Sequence, residues 1–423
     1  MNYSIVVLID SMKEKDAYAA LRVPDFRNFL AAKVFITIAI QIQAVSVGWH
    51  VYELTHDPLS LGMIGLAEAI PAIGISLFAG HLADIYQRKK IVTLCYLTLF
   101  LCGIGLALVS SGIFNIRTDH ILFSLYGIIF FTGLARGFLS PAHFGLMSQS
   151  VPKELYHNSS VWNSSLWEAA VVLGSGAGGI LFAQLGEQKT YIVVCAFCIG
   201  ALFFLFRISP KPSPERIQGL KVMDSLLGGI KFVFGNQIFL GAMALDLFAV
   251  LFGGAVAILP IFADEILHCG PAGLGWLRAA PSIGAFAMAF CLAYYPPLKN
   301  SGKWLFASVA GFGLCMIGFA FSTSFWLSFA FLLLSGVFDN VSVVIRSTIM
   351  QMLTPDDMKG RVSAVHSIFV GSSNEIGAFE SGVAAKYLGA VSAVAFGGFA
   401  TLFVVISGYI ISPALRKLHL KKQ

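Results

Sequence analysis

Two stretches of this chain, 203 residues apart, carry one pattern. Pro152-Lys-Glu-Leu-Tyr leads on to Gly174, Gly179 and Gly186, and Pro355-Asp-Asp-Met-Lys leads on to Gly377, Gly382 and Gly389. Each begins in a polar loop and enters a long apolar helix. A repeat of about half the length of a 423-residue chain this apolar implies two similar membrane-embedded halves. That arrangement points to a transporter and predicts a substrate site between the halves, near the bilayer midplane.

Of the residues, 57% are hydrophobic and 12% charged, against about 25% charged in soluble domains. Lipid must therefore surround much of the surface. At roughly 20 apolar residues per crossing, the chain divides into twelve predicted spans. They run over 26–53, 59–82, 90–111, 119–148, 157–185, 189–208, 237–265, 271–296, 303–321, 324–352, 360–387 and 390–411. The expected fold is an all-α membrane protein, with twelve transmembrane helices in two pseudo-symmetric six-helix halves. A barrel is excluded, because runs such as Ile91 to Val109 do not alternate apolar and polar residues. The opening run Ile5 to Ile9 is too short for a signal peptide, and Asp10, Lys13, Glu14 and Lys15 follow at once.

Lysine and arginine set the expected orientation. An inside N-terminus puts Lys13, Lys15, Arg22, Arg27, Arg88-Lys89-Lys90, Lys211, Arg216, Lys221 and Lys231 in the cytoplasm. Lys299, Lys303, Lys359, Arg361 and the tail Arg416-Lys417 to Lys421-Lys422 follow them, leaving Arg117, Lys189 and Lys386 outside. This is the positive-inside asymmetry of an even number of spans. The net charge of +6 is thus topological and implies no nucleic acid. Cys195 and Cys198 form a CxxC within a helix that has no neighbouring His or acid, so they read as small buried apolar residues.

The expected division is an N-terminal half over 1–208, a cytoplasmic linker over 209–236 and a C-terminal half with a basic tail over 237–423. Pro210, Pro212 and Pro214 stiffen the linker. Val222, Met223, Leu226, Leu227, Ile230, Val233 and Phe234 then recur at helical spacing, with Asp224 and Lys231 elsewhere, which predicts an interfacial amphipathic helix. The repeat also pairs Gly133 with Gly336, and Pro71 and Gly74 with Pro281 and Gly284.

Between the second and third spans runs Gly80-His-Leu-Ala-Asp84-Ile-Tyr-Gln-Arg88-Lys89-Lys90. It resembles the signature loop of the major facilitator superfamily, Gly-x-x-x-Asp-(Arg/Lys)-x-Gly-(Arg/Lys)-(Arg/Lys). Ile85 replaces the first basic residue and Gln87 the glycine. The resemblance implies that Asp84 and Arg88 help latch the halves in an outward-open state. Over nearly the whole chain the sequence is similar to the efflux branch containing enterobactin and multidrug exporters. Gly65-Leu-Ala-Glu-Ala-Ile-Pro71, Leu134-Ala-Arg-Gly-Phe-Leu-Ser-Pro141 and Asp246-Leu-Phe-Ala-Val-Leu-Phe-Gly-Gly254 carry that likeness, with Leu277-Arg-Ala-Ala-Pro281 and Gly371-Ser-Ser-Asn-Glu375. Gly174, Gly178 and Gly179 resemble the glycine-rich fifth-span motif of drug antiporters, with Ser175 in place of its proline. They predict close helix packing and favour export.

A charge at the centre of a membrane helix costs roughly 2.5–3.5 kcal/mol, so the intramembrane charges call for roles. They are Glu68, Arg136 and Glu168 in the first half, then Asp246, Arg278, Asp339, Arg346, Glu375 and Glu380 in the second. In one reading they form buried pairs that fix register, such as Arg136 with Glu68 or Glu168. In the other, an acid without a permanent basic partner exchanges protons as access alternates. The candidates for proton coupling are Glu68, Asp246, Glu375 and Glu168; Arg136, Arg278, Asp339 and Arg346 are read as gating or structural charges. On spans that line the cavity in relatives stand Gln41, Gln43, Trp49, Asn163, Trp167, Phe248, Phe252 and Asn374, a mixture suited to an amphipathic organic molecule.

The expected function is proton-coupled efflux of a small drug-like metabolite or siderophore by alternating access. Uptake, flipping of a lipid-like substrate, and a non-translocating sensor remain open alternatives. The expected partners are the small-molecule substrate, protons and the bilayer, in a protein that works as a monomer in the inner membrane with both termini cytoplasmic. No metal cluster, nucleophile–base pair or nucleotide-binding P-loop stands out, so neither an enzyme nor a cofactor is expected.

Overall fold

The computed structural model describes residues 18–112, 118–210, 222–294, 299–355 and 358–419. Its long helices are α1 (Pro24–Thr55), α2 (Pro58–Ile85), α3 (Arg88–Val109), α4 (Thr118–Ser150) and α5 (Tyr156–Phe206). After α6 (Val222–Gly235) come α7 (Gln237–Gly253), α8 (Gly270–Tyr294), α9 (Ser301–Ala320), α10 (Phe325–Leu353), α11 (Lys359–Leu388) and α12 (Ala390–Ile411). Helices are what apolar runs of this length must form in lipid, where each backbone group needs an internal partner. Local signals set their starts. Pro24 and Pro58 occupy first-turn positions of α1 and α2. Asp57 caps α2 at the Leu59 amide, and Asn236 caps α7 at Ile238 and Phe239.

Among the described residues, ten helices are long and apolar enough to cross a membrane. One of them covers Asn158–Phe206, and Gly186 breaks it into two crossings with a φ of 75°. The more polar α11, 30 residues long, completes twelve. At the matching point of the repeat Gly389 joins α11 to α12 with a φ of 82°. Both turns need the left-handed region that favours glycine, which explains the last glycine of each repeat copy.

The earlier glycines also have equivalent places. Gly174 lies against Ile38 and Gln41 of α1, and Gly377 against Val250 and Leu251 of α7. Gly179 meets Pro271 and Gly275 at the start of α8, whereas Gly382 meets Pro58 and Gly62 at the start of α2. The final two contacts join the first half, α1–α5, to the second, α7–α12. A side chain at either place would collide with backbone, so the repeat marks how the halves touch.

The seventh crossing differs from its expected form. The helix stops at Gly253, Gly254 is non-helical, and the chain continues as short turns over Val256–Ile258, Leu259–Ile261 and Phe262–Ile266. The Ser381 hydroxyl donates to the freed Gly254 carbonyl at 2.7 Å. In α6, Val233 is buried with the second half while Lys231 is exposed. Several predicted features fall outside the described residues: Ile5–Lys15, Arg117, Lys211, Pro212, Pro214, Arg216, Lys221, Lys421 and Lys422. The side chains of Asp84, Val222, Met223, Asp224, Leu226, Leu227, Lys359 and Arg361 do as well.

Both ends of the described chain lie on one side of the bundle. Asp25, early in α1, accepts from the Ser209 amide beyond the sixth crossing, and Gly302, early in α9, donates to Leu418 beyond the twelfth. We call this the terminal side and the opposite one the distal side. The apolar core divides accordingly. On the distal side one continuous cluster takes Trp49, Tyr52 and Leu61 from the first half together with Ile258, Phe262 and Leu277 from the second. Toward the terminal side there are, among the described residues, two clusters, one built from the first half and one from the second with Val233 of α6. Among the described residues, the halves share one core distally and keep separate cores terminally.

Candidate functional site

Polar ties reinforce the distal seal. The Tyr52 hydroxyl on α1 donates to the Glu265 carboxylate beyond α7. Lys386 at the end of α11 donates to Asp57 ahead of α2 at 3.2 Å, and Arg278 on α8 donates to the Ala44 carbonyl of α1 at 3.3 Å. Gly65 allows α11 to settle on α2 beside the backbone of Glu375. Below this seal the intramembrane charges collect at the divide.

The first group is balanced. Arg136 on α4 forms an ion pair with Glu68 on α2. Gly133, one turn before Arg136, makes this possible, since a Cβ there would run into the Glu68 backbone. The Arg136 side chain remains 41% exposed, that of Glu68 16%. Across the divide Glu375 on α11 lies in the fields of both Arg136 and Arg278. Two acids and two guanidiniums, drawn from both halves, thus alternate in sign.

The second group is not balanced. Asp246 on α7 and Arg346 on α10 form an ion pair with exposures of 8% and 7%. Arg346 also donates to the Ser342 hydroxyl at 3.3 Å. Asp339 lies on the same helix, within the field of Arg346. Glu168 on α5 has the Ser282 hydroxyl of α8 as its polar partner and the like charge of Asp339 nearby. Two carboxylates, Asp246 and Asp339, share the Arg346 guanidinium, and among the described residues Glu168 beside them has no cationic partner.

This geometry corrects part of the expected site. Asp246 is ion-paired with buried Arg346 in this structure, so here it is not an acid without a basic partner. Gln43 is buried and donates to Thr132 at 3.2 Å, tying α1 to α4, and Trp49 sits edge-on to Tyr52 inside the distal core. Both are buried, at 5% and 8% exposed, rather than at an exposed face. Gln41 itself faces Ser175 at 3.5 Å on α5. Trp167 and Phe248 are exposed, Phe252 stacks on Phe248, and exposed Asn374 donates to its own helix at Val370. Arg88 crosses to the Gly145 carbonyl of α4 at 3.2 Å, and Gly145 is where α4 leaves room for it.

One residue escaped the sequence reasoning. Lys33, well inside α1, donates to the Asn163 side chain of α5 at 2.7 Å. A lone lysine in the apolar run Phe29–Trp49 was the available signal.

The comparisons with known proteins agree with this architecture. A family described as transmembrane secretion effector matches residues 15–420. The chain belongs to this family of major facilitator transporters. Enterobactin exporters EntS of Shigella boydii and Escherichia coli are each 25% identical to it over 402 residues, covering 94% of both chains. Three solved structures share its fold. The nucleoside transporter NupG superposes with a TM-score of 0.72 at 12% identity, covering 91% of this chain and 99% of its own. A D-xylose–proton symporter superposes at 0.71 and 13% identity, covering 93% and 99%. A bacterial homolog of the human lysosomal transporter Spinster, inward-facing and unoccupied, does so at 0.68 and 13%, covering 96% and 97%. Like other members of the superfamily, this chain is a multi-pass integral membrane transporter.

Proposed function

We propose that the protein exports a small amphipathic organic compound across the cytoplasmic membrane in exchange for protons, by alternating access, as a monomer. The terminal side carries Arg22, Arg27, Arg88, Lys89, Lys90, Lys231, Lys299, Lys303, Arg416 and Lys417, which supports a cytoplasmic placement. On that reading both termini are cytoplasmic, the linker over 209–236 joins the halves inside, and the observed state is inward-open. The export direction is supported by the enterobactin exporters among its relatives.

The observation that carries coupling is Glu168. It stands at the divide between α5 and α8 with a hydroxyl for a partner and a like charge, Asp339, from the other half. Closing water out around two carboxylates without a cation between them is costly, whereas one proton or one bound cation relieves the repulsion. Glu168 takes a proton from outside when the distal seam is open. It gives the proton up to the cytoplasm when the terminal side opens, and cargo entering the same space is carried outward on the return. A charge moved across the membrane is driven by about 2.3 kcal/mol per 100 mV. Glu68 and Glu375, held by Arg136 and Arg278, adjust the fit of the halves.

Everted membrane vesicles test the direction. With an acid interior, wild-type protein should accumulate an amphipathic aromatic dye inside, and collapsing the proton gradient should release it. Accumulation only under the reversed gradient would favour uptake. Binding with no flux under either gradient would favour a sensor.

A further inference from the structure

Lys33 is a cation that the export mechanism above leaves unused. Its ammonium is bonded to the neutral Asn163 amide, and among the described residues no carboxylate pairs with it. An ordinary helix tie between α1 and α5 needs only a neutral donor, whereas a charge inside the span is costly. Its position suggests why a charge is kept. Positions 33, 37, 40, 44 and 48 follow one face of α1 at helical spacing. Nearer the distal side that face looks at the second half, since Ala44 accepts from Arg278 and Gly48 lies against Pro260. At Lys33, nearer the terminal side, the described cores of the two halves are separate, and the half-buried lysine lies where that face has left the shared distal core.

The wall beside it is aromatic. Asn163 and Trp167 are one turn apart on α5, on the face that carries Gly174 against α1. Trp167 therefore lies on the α1-facing side of α5, and its side chain is 43% exposed. His143 on α4 lies within the field of Lys33 and is bonded to the Tyr96 hydroxyl at 3.0 Å. A fixed ammonium, an amide and an open indole face are the groups that hold an aromatic ring bearing an anionic oxygen.

We propose that Lys33, Asn163 and Trp167 form a subsite for the anionic end of the cargo, which is an amphipathic aromatic acid. The ammonium binds the carboxylate or similar oxyanion, the Asn163 amide donates a second hydrogen bond, and the ring lies on Trp167. This rests on the transport reading above and names the chemical class of its substrate.

The test uses the full chain in detergent without any gradient, titrated with 1-naphthoate and with its neutral amide, 1-naphthamide, and followed by tryptophan fluorescence. Wild type should bind the acid about tenfold more tightly than the amide. Lys33→Gln should bring the two together without changing the affinity for the amide, and Lys33→Arg should keep the preference. If Lys33→Gln fails to fold, Asn163→Asp neutralises the same ammonium and should abolish the preference equally. Equal affinities in wild type, no measurable binding of the acid, or a preference surviving in Lys33→Gln overturns the subsite. Because no gradient is present, a preference for the acid without proton-driven flux would sink the coupling reading alone. Coupled flux with no such preference would sink the subsite alone.

Discussion

Gly133 on α4 and Gly336 on α10 stand at equivalent points of the repeat and do the same work. Each lets its helix lie against the backbone of the helix two crossings earlier, at Glu68 and at Pro281. Three residues further along stand Arg136 and Asp339, and there the halves diverge. Arg136 is exposed at the divide and paired with Glu68, while Asp339 shares Arg346 with Asp246 and faces Glu168 across the halves. Both halves must form the same bundle, so packing is duplicated. The proposed coupling needs one place where charge is unbalanced, and the charges are not duplicated.

The largest expected effect tests the shared part. Gly133→Val and Gly336→Val each drive a side chain into backbone that has no flexible end to move. Each should cost more than about 4 kcal/mol and leave no monodisperse peak on size exclusion in detergent. Tolerance in one half alone would break the equivalence. Next come the two ion pairs. Arg346→Ala strips a buried carboxylate of its partner and should cost about 3–5 kcal/mol. Arg136→Ala, where the arginine is 41% exposed but Glu68 only 16%, should cost less, about 1–3 kcal/mol. Thermal midpoints of the two variants in the same detergent give the comparison directly.

The distal seam gives smaller effects. Gly179→Ala and Gly382→Ala force apart the two seam contacts that the repeat supplies. Both should raise the labelling of a cysteine placed at Ile258 in the shared core, by several-fold and to a similar extent. Lys386→Gln removes an exposed tie and should lower stability by less than about 1 kcal/mol, with a slight rise in the same labelling.

Much of this was legible in the sequence. Glycines at matched positions announced the turns at Gly186 and Gly389 and the helix contacts of Gly174 and Gly377, because only glycine satisfies a positive φ or a backbone-to-backbone approach. The charged groups could be named but not paired. Asp246 and Arg346 are 100 residues apart in the chain, and hydropathy says nothing about which helices face each other. The break at Gly254 was hidden because apolar composition continues through it. Gln43 and Trp49 were placed in the cavity because a sequence does not state which side of an alternating structure is shut. Lys33 shows the converse, a signal present in the chain whose meaning depends on its Asn163 neighbour and on the open face around it.

The central claim is that the unbalanced carboxylate Glu168 carries the coupling proton, and proteoliposomes containing Glu168→Gln test it most directly. With 1-naphthoate as cargo, the account predicts that this variant still exchanges labelled for unlabelled compound at near wild-type rates. It should neither accumulate the compound under a pH gradient nor move protons when the compound is added. Accumulation and proton movement that persist in Glu168→Gln would contradict it.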